Sequence, residues 1–572
     1  MTRNSLSIIA IVLGLAHAAP PPAMAEESIG AYLAARQATF DNDYKAAAEY
    51  FTRALTEDPS NPAIMESAVI AQISLGRVDL AIPVSRKIEA DGLLSHIAHM
   101  ALVADDVENG RIEDVITRMQ DDRGIGDLAD GLVLAWAHLS NGDVRTALAE
   151  FDTVAESPGL RSFAIYHKAL ALASVGDFEA AVNIFSGESD GPVQRTRRGT
   201  IAHAEALSQL ERNEEAVALL DDAFGGAMDP EIKILRDVLV AGDIAPFSMI
   251  SSPEEGIAEV FYTLGRALLS ETSADYVLLY SRVAEHLSPS HIDAVMMTAE
   301  LLESLERYEL ATAVYKSVPQ DHPSYAAAEM GRAESLRRAE KLDAAVEVLE
   351  QLARTHPELP LVHVSVGDMS RQLERFDDAV EAYDRAIGIY SDLGQEQWFV
   401  HYARAISLER LGEWPDAEAG FRKALELNPG HPQVMNYLGY SLVEKRIKLD
   451  EALDLIERAV AAEPNSGYIV DSLGWVLYRL GRYEEAVVHM ERAAELMPID
   501  PVVNDHLGDV LWLVGRYNEA EFQWRRALSL VDEENPSPDI DPDRIRRKLD
   551  VGLYVVLEDE NADSLEVVDD GG

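Results

Sequence analysis

Residues 467–500 read GYIVDSLGWVLYRLGRYEEAVVHMERAAELMPID, and the pattern returns in the next 34 residues as PVVNDHLGDVLWLVGRYNEAEFQWRRALSLVDEE. Small residues recur at the same spacing, since Gly474 matches Gly508 and Ala486 matches Ala520. A constant period of this length is typical of a solenoid, in which each supersecondary unit packs on its neighbours. Because a solenoid presents a long surface, protein binding is the first function to consider.

Each unit is predicted to contain two helices joined by a short turn. In the quoted unit, Leu473 and Leu477 are four residues apart, which places them on one face of the first helix. Gly481 is expected to end that helix, since glycine adopts a positive φ without steric penalty. Pro498 is expected to end the second helix, because proline lacks an N–H donor and clashes with the preceding turn.

Small residues at Gly474 and Ala486 predict that two helix backbones approach closely there. Together with the turn glycine and the terminal proline they match the tetratricopeptide pattern, so the chain resembles that repeat family. The resemblance implies an all-α fold, a solenoid superhelix of helix-turn-helix units. We count about ten to fourteen candidate units along the 572 residues, in two arrays.

The chain is predicted to divide into six segments. In order they are a signal peptide, an N-terminal degenerate repeat array, an irregular junction, a C-terminal repeat array, a capping helix and a disordered acidic tail. The predicted boundaries are, in the same order, 1–25, 26–228, 229–257, 258–533, 534–557 and 558–572.

The first residues predict export from the cytoplasm. Arg3 precedes an apolar run from Leu6 to Ala16, and Ala23-Met24-Ala25 is typical of a cleavage site that leaves Glu26 first. The alternative is a first core helix of the solenoid. The chain has no cysteine, so no disulfide, thiolate nucleophile or lipidated cysteine is expected. These features predict a soluble periplasmic protein with no membrane span.

The composition is strongly acidic, with a formal net charge of −51. Such a chain repels phosphate backbones and anionic headgroups, so nucleic acid and direct lipid binding are not expected. A basic partner would be attracted, and salt would weaken that encounter. The alternative is that the charge only keeps a long solenoid soluble.

The sequence contains no HExxH, GxSxG or P-loop motif, so we predict no enzyme activity, no metal and no cofactor. His286 and His291 flank a turn and are expected to be ordinary surface residues. Carboxylate pairs such as Glu484 and Glu485 begin second helices, where the helix dipole favours negative charge. None of these residues indicates acid–base catalysis.

The family resemblance implies that the first helix of each unit lines a groove for protein partners. The implied contact residues in the last three units combine aromatic side chains with carboxylates and an arginine, as binding interfaces do. They are Tyr440, Tyr468, Asp471, Trp475, Tyr478, Arg479, Asp505, Asp509 and Trp512. The alternative is that Trp475 and Trp512 pack between units. Asp471 and Asp505 would repel a terminal carboxylate, so an internal or basic segment, or a folded surface, is expected.

Residues 432–530 resemble one bacterial branch of the family more closely, through the stretches NYLGY at 436–440, DSLGWVLYRLG at 471–481 and HLGDVLW at 506–512. That branch comprises outer-membrane lipoprotein adaptors of a periplasmic carboxy-terminal processing protease. The resemblance implies an adaptor for such a protease, although the lipidated cysteine of that branch is missing. The alternative is a scaffold for envelope assembly, in exopolysaccharide export or outer-membrane biogenesis. The oligomeric state stays open.

Overall fold

The computed structural model describes residues 24–121, 123–157, 159–189, 195–226, 228–532 and 540–560. These residues form 31 α-helices and no strand, so the predicted all-α repeat superhelix is confirmed. The chain folds as two compact units, which comprise residues 1–348 and 349–572. The predicted signal peptide, apart from its last two residues, lies outside the described residues.

The first unit consists mainly of antiparallel helix pairs. Its helices are α1 (Met24–Phe40), α2 (Tyr44–Glu57), α3 (Pro62–Ser74), α4 (Val78–Ala90), α5 (His96–Glu108), α6 (Ile112–Gln120), α7 (Asp127–Ser140), α8 (Val144–Glu156), α9 (Arg161–Ser174), α10 (Phe178–Phe185), α11 (Arg197–Gln209), α12 (Asn213–Phe224), α13 (Pro230–Val240), α14 (Pro253–Leu268), α15 (Ala274–Leu287), α16 (Ile292–Ser304), α17 (Tyr308–Tyr315) and α18 (Tyr325–Arg338).

The second unit continues the same alternation of first and second helices. Helix α19 (Leu342–Thr355) includes the boundary between the units. The helices that follow are α20 (Pro360–Gln372), α21 (Phe376–Asp392), α22 (Trp398–Arg410), α23 (Trp414–Leu427), α24 (Pro432–Glu444), α25 (Leu449–Ala462), α26 (Gly467–Arg479), α27 (Tyr483–Leu496), α28 (Pro501–Leu513), α29 (Tyr517–Leu530), α30 (Pro542–Val551) and α31 (Leu553–Asp559).

The turn between α26 and α27 ends the first helix as the sequence predicts. Gly481 has φ +76°, and the N–H of Arg482 donates to the carbonyl of Leu477 at 2.9 Å. This bond closes the helix end and satisfies a carbonyl that would otherwise lack an intrahelical partner. Equivalent turns at Glu306, Glu340 and Glu374 have φ values of 60°, 59° and 58°. These repeats, like the turn at Glu211 with φ +58°, place glutamate in a backbone conformation that favours glycine.

Gly474 is small for a reason that differs from the prediction. A Cβ atom at Gly474 would lie 2.8 Å from the side chain of Met490 on α27. The glycine therefore makes room for a core methionine, and the expected contact between two helix backbones is wrong at this position. Met490 is fully buried, and a methyl group at residue 474 would displace it.

The predicted junction at 229–257 is partly helical, because it contains α13 and the start of α14. Helix α14 packs against α7 and α9, and α15 packs against α3 and α5. These four helices are the first helices of successive pairs in the preceding array. Residues 253–287 thus cover the first-helix side of the array within the same compact unit, and the unit boundary falls after Val348 rather than at the predicted junction.

The predicted capping segment forms two helices, α30 and α31, which meet at Gly552. Asp541 caps α30, since its side chain accepts hydrogen bonds from the N–H groups of Asp543 and Arg544. Helix α31 extends to Asp559, into the segment predicted as a disordered tail, and residues 561–572 lie outside the described residues. Nowhere in the described ranges is a helix both long and apolar enough to cross a bilayer.

Candidate partner-binding groove

The predicted contact residues lie on three consecutive first helices, α24, α26 and α28, and we call this side of the second unit the first-helix face. Trp475 lies at its centre and is half-buried. Its ring stacks on Tyr478, with centroids 4.6 Å apart, and on His506 of the next repeat, at 4.0 Å. Its indole N–H donates to Glu444 of the preceding repeat at 2.8 Å. Trp475 therefore contacts the repeats on both sides and still exposes part of its ring.

Asp471 is paired with the histidine that stacks on Trp475. One oxygen of its carboxylate lies 2.9 Å from Nδ1 of His506, and both side chains are largely buried. Burial by itself would lower the pKa of His506, but Asp471, Asp505 and Asp509 raise it on balance. The second oxygen, Oδ1, is buried and has no hydrogen-bond partner among the described residues.

Asp505 and Asp509 are occupied by the chain's own C-terminal helix. The ammonium group of Lys548 on α30 lies 2.6 Å from a carboxylate oxygen of each, and the Lys548 side chain is 0% exposed. Asp509 also accepts from the indole N–H of Trp524 at 2.9 Å and pairs with Arg544 at 3.4 Å. Burial raises the pKa of Asp505, and the nearby Asp509 raises it further. A buried carboxylate pair of this kind requires a cation nearby.

The other predicted contact residues are partly accessible. Tyr468 is 44% exposed. Tyr440 and Arg479 are half-buried, and Arg479 lies 3.9 Å from Glu444. Trp512 packs edge-on against Tyr517 at 4.7 Å, and its buried indole nitrogen has no partner within the part of the chain that is described. The structure thus gathers the predicted residues on one face, but it buries Asp471, Tyr478, Asp505 and Asp509.

The contacts of Lys548 and Arg544 with the first-helix face were not predicted from the sequence. Both belong to a segment that was expected only to cap the last repeat. The available signal was charge, because residues 544–548 contain four cations in a chain with a net charge of −51. His506 was also not predicted as a contact residue, and the repeat pattern gives no signal for it, since the equivalent residue of the preceding repeat is Ser472.

The first unit contains a second buried polar cluster, centred on Glu259 of α14. The carboxylate is 0% exposed and pairs with Arg198 at 2.7 Å. It accepts from Tyr166 at 2.8 Å and lies 2.9 Å from Nε2 of His291. Burial alone would raise the pKa of Glu259, but Arg198 and His291 hold it well below its usual range. The prediction that His291 is an ordinary surface residue is wrong, since its side chain is 5% exposed.

His286 takes part in the one group of possible metal ligands found in the described residues. Its ring nitrogen lies 3.4 Å from Glu108 and 3.9 Å from Asp79. Both carboxylates are mostly exposed, and such acidic surface groups occur widely without a metal. The side chain of His286 is only 16% exposed, so it is less accessible than predicted.

Comparison with known proteins identifies the repeats. The family described as tetratricopeptide repeat matches residues 30–92, 330–393 and 402–466, and a second profile of that description matches residues 470–500. These repeats are tetratricopeptide repeats. The last two matched ranges contain α24 and most of α26, whereas α28 lies outside them. Such repeats typically form noncatalytic scaffolds for protein–protein interaction.

One curated relative is a tetratricopeptide repeat-containing protein of Pseudomonas aeruginosa, which is 31% identical over 81 residues. The match covers 14% of this chain and 14% of that protein, so it spans far less than the relative's own length.

Solved structures with some similarity include the APC/C hetero-tetramer Cut9-Hcn1, at 13% identity, 92% and 96% coverage of the two chains and a TM-score of 0.36. A MamA structure (MSR-1) has 21% identity, 30% and 95% coverage and a TM-score of 0.26. At these TM-scores, no property of those proteins is transferred to this chain.

Proposed function

We propose that this chain is a noncatalytic periplasmic adaptor that binds protein partners through the first-helix face, and that its principal partner is a carboxy-terminal processing protease. One observation supports the binding role above the others. Trp475, Tyr478 and His506 form a continuous aromatic stack across two repeats, in which Trp475 is partly exposed, and Tyr468 on the same helix as Trp475 is 44% exposed. Rigid aromatic groups beside charged side chains provide large contact areas at low entropic cost.

The protease is proposed from the resemblance of residues 432–530 to adaptors of that enzyme class. The resemblance includes Asp471 and Tyr478, which the repeat pattern alone does not require. Both side chains are involved in the stack or its hydrogen bonds. A face built from residues shared with one functional branch is consistent with a partner shared with that branch.

Affinity purification tests the partner. The mature chain, residues 26–572, is used as bait in an envelope extract of its native host, and bound proteins are identified by mass spectrometry. We expect recovery of a carboxy-terminal processing protease. The matched variants are Tyr468→Ala, which removes a 44% exposed ring from the first-helix face, and Phe522→Ala, which removes a 59% exposed ring from a second helix.

Tyr468→Ala is expected to lower protease recovery about tenfold, the effect of losing one interface aromatic, and Phe522→Ala to leave it unchanged. Absence of the protease under gentle extraction would contradict the proposed partner. Recovery of polysaccharide-export or outer-membrane assembly proteins instead would favour the envelope-assembly scaffold.

The periplasmic location is proposed from the signal-peptide pattern in residues 1–25. N-terminal sequencing of the chain from a periplasmic fraction should find Glu26 first. A chain that stays in the cytoplasm and begins at Met1 would contradict export.

A further inference from the structure

Helix α30 places Lys548 in a buried site formed by two carboxylates and an indole ring. Lys548 is completely buried and donates to both Asp505 and Asp509 at 2.6 Å. Its ammonium group also lies 5.4 Å from the ring centre of Trp524, within the range of a cation–π contact. Burying an ammonium ion is unfavourable unless it is paired and hydrogen-bonded. Two carboxylates and an indole together meet that requirement, so they form a lysine subsite.

The subsite belongs to a row of equivalent positions on the first-helix face. Asn436, Asp471 and Asp505 all occupy the fifth position of their repeats. Asp505 has its donor in Lys548, whereas a buried oxygen of Asn436 and one of Asp471 have no partner among the described residues. Asn436 is 7% and Asp471 is 6% exposed. Two positions of this row that α30 does not occupy, Asn436 and Asp471, therefore each present an acceptor oxygen without a donor among the described residues.

The helix that occupies the subsite is basic, and the face is acidic. Residues 544–548 contain Arg544, Arg546, Arg547 and Lys548. The side chains of Arg546 and Arg547 are 57% and 54% exposed. Among the described residues, Arg546 pairs only with Asp543 on α30, and Arg547 only with Asp559 on α31. Only Arg544 and Lys548 reach α28. The contact with the face is thus specific to two cations, beside an apolar anchor formed by Ile545.

We propose that α30 is an internal ligand of the first-helix face, and that a lysine-bearing helix of a protein partner binds by displacing it and inserting its own lysine between Asp505 and Asp509. The inference rests on the proposed protein-binding function but not on the protease as partner. A tethered occupant has a high effective concentration, so it lowers the apparent affinity for any competing segment. Occupancy by α30 therefore selects partners that offer additional donors to Asp471 and Asn436.

The test uses the full chain with a cleavage site for a specific protease placed between Asp532 and Ile540. The chain folds intact and is then cut, so folding does not depend on the change. The probe is a fluorescein-labelled synthetic peptide of residues 540–560, and its exchange into the chain is followed by anisotropy. We expect the peptide to bind the cut chain at least about tenfold more tightly than the uncut chain, because cutting removes the effective-concentration advantage of the tethered helix.

Two peptide variants separate lysine recognition from apolar capping. A peptide with Lys548→Met is expected to bind at least about thirtyfold more weakly than the unmodified peptide, because Asp505 loses its buried cation and Asp509 keeps only Arg544. A peptide with Arg546→Met is the control and should bind as the unmodified peptide does, since Arg546 does not contact the face. The chain variant Asp505→Asn/Asp509→Asn should lose the preference for the lysine peptide.

Equal binding by cut and uncut chains would overturn the proposal, because α30 would then not obstruct the face. Equal binding of the Lys548→Met and unmodified peptides would also overturn it and would identify α30 as an apolar cap. A cut segment that never exchanges, even at high salt, would show that α30 is a permanent part of the repeat. Failure to recover the protease from extracts leaves these peptide results unaffected, so the two proposals fail separately.

Discussion

The ammonium group of Lys548 lies 2.6 Å from a carboxylate oxygen of Asp509, and both side chains are fully buried. The residues are 39 positions apart, on α30 and α28. Asp509 also accepts from Trp524, and Lys548 also donates to Asp505. This pair connects the last repeat to the C-terminal helix. Asp509 was predicted from the sequence as a partner-contact residue, whereas Lys548 lies in the segment that was predicted only to cap the solenoid.

Replacing Lys548 with methionine should destabilise the end of the second unit. Methionine has a similar volume, but Asp505 would then lose its cation, and Asp509 would keep only Arg544, at 3.4 Å. Breaking a buried pair by removing one partner typically costs roughly 3–5 kcal/mol. We expect faster hydrogen exchange in α28 and α30 and a lower free energy of unfolding, measured by urea titration.

The control for this change is Arg546→Met, which removes an exposed cation from the same helix. Its effect should be below about 0.5 kcal/mol. Adding Asp505→Asn to Lys548→Met should restore part of the lost stability, because one buried charge disappears. A Lys548→Met chain as stable as wild type would show that the carboxylates find another counter-charge.

Trp475→Ala should cost stability as well as partner binding. The ring stacks on Tyr478 and His506 and donates to Glu444, so truncation removes contacts with both neighbouring repeats. Because the ring is only half-buried, we expect a loss near the lower end of the roughly 3–5 kcal/mol typical of aromatic truncation. Thermal melting measures the loss. Tyr468→Ala is the matched control, and an unchanged melting temperature for Trp475→Ala would contradict the inter-repeat packing.

His506 should make the second unit less stable as pH rises. Its pKa is raised in the folded chain, because the attraction of Asp471, Asp505 and Asp509 exceeds the effect of burial. The protonated ring therefore contributes its full stabilisation below the ordinary histidine pKa of 6.5. That contribution disappears as pH rises through the folded-state pKa.

The difference in unfolding free energy between wild type and His506→Gln, followed against pH, measures this contribution. It should be largest in acid and decline toward alkaline pH. His489→Gln provides the opposite sign, because burial lowers the pKa of His489. A pH-independent difference for His506→Gln would contradict the Asp471 ion pair.

His167 should make the first unit less stable as pH falls. The N–H of Trp136 donates to its Nδ1, so the ring is neutral and its Nε2–H donates to Thr263. Burial lowers the pKa of His167 to about 4. The unfolded chain takes up a proton near pH 6.5, so folded-state stability is lost between that pH and about 4, by roughly 3 kcal/mol in total.

Glutamine at residue 167 can accept from Trp136 and donate to Thr263 without titrating. His167→Gln should therefore flatten the acid limb of the stability curve, measured by denaturant titration from neutral pH to about pH 4. His203, whose pKa burial also lowers to about 4, should account for a second part of the slope. An unchanged acid limb in the double variant His167→Gln/His203→Gln would contradict this assignment.

Glu374→Gly should stabilise the chain. Glu374 is exposed and has φ +58°, a conformation that costs a side-chain-bearing residue about 1–2 kcal/mol. Glycine relieves this strain but gains entropy in the unfolded chain, so the expected net gain is about 0.5–1 kcal/mol. Gly412→Ala, at an equivalent turn with φ +81°, should lose a similar amount. Urea titration of both variants distinguishes backbone strain from a side-chain effect.

The sequence by itself determined the repeat, the helix pairs and their turns. These features depend on residues close together in the chain: Gly481 ends α26 because of its own φ, and Leu473 and Leu477 share a face because of the helical period. The period also placed Asp471 and Asp505 at equivalent positions, and likewise Trp475 and Asp509. It thereby predicted which helices form the first-helix face.

Only the tertiary structure decided what those residues contact. Lys548 reaches Asp505 across 43 positions, and Tyr166 reaches Glu259 across 93. Such pairs depend on how α30 and α14 pack on earlier first helices, and a 34-residue period does not encode the docking of a segment outside it. A carboxylate in a groove position can bind a partner or a cation of its own chain. Which of these two the carboxylate binds depends on whether a helix of its own chain packs over it, as α30 packs over Asp505 and Asp509.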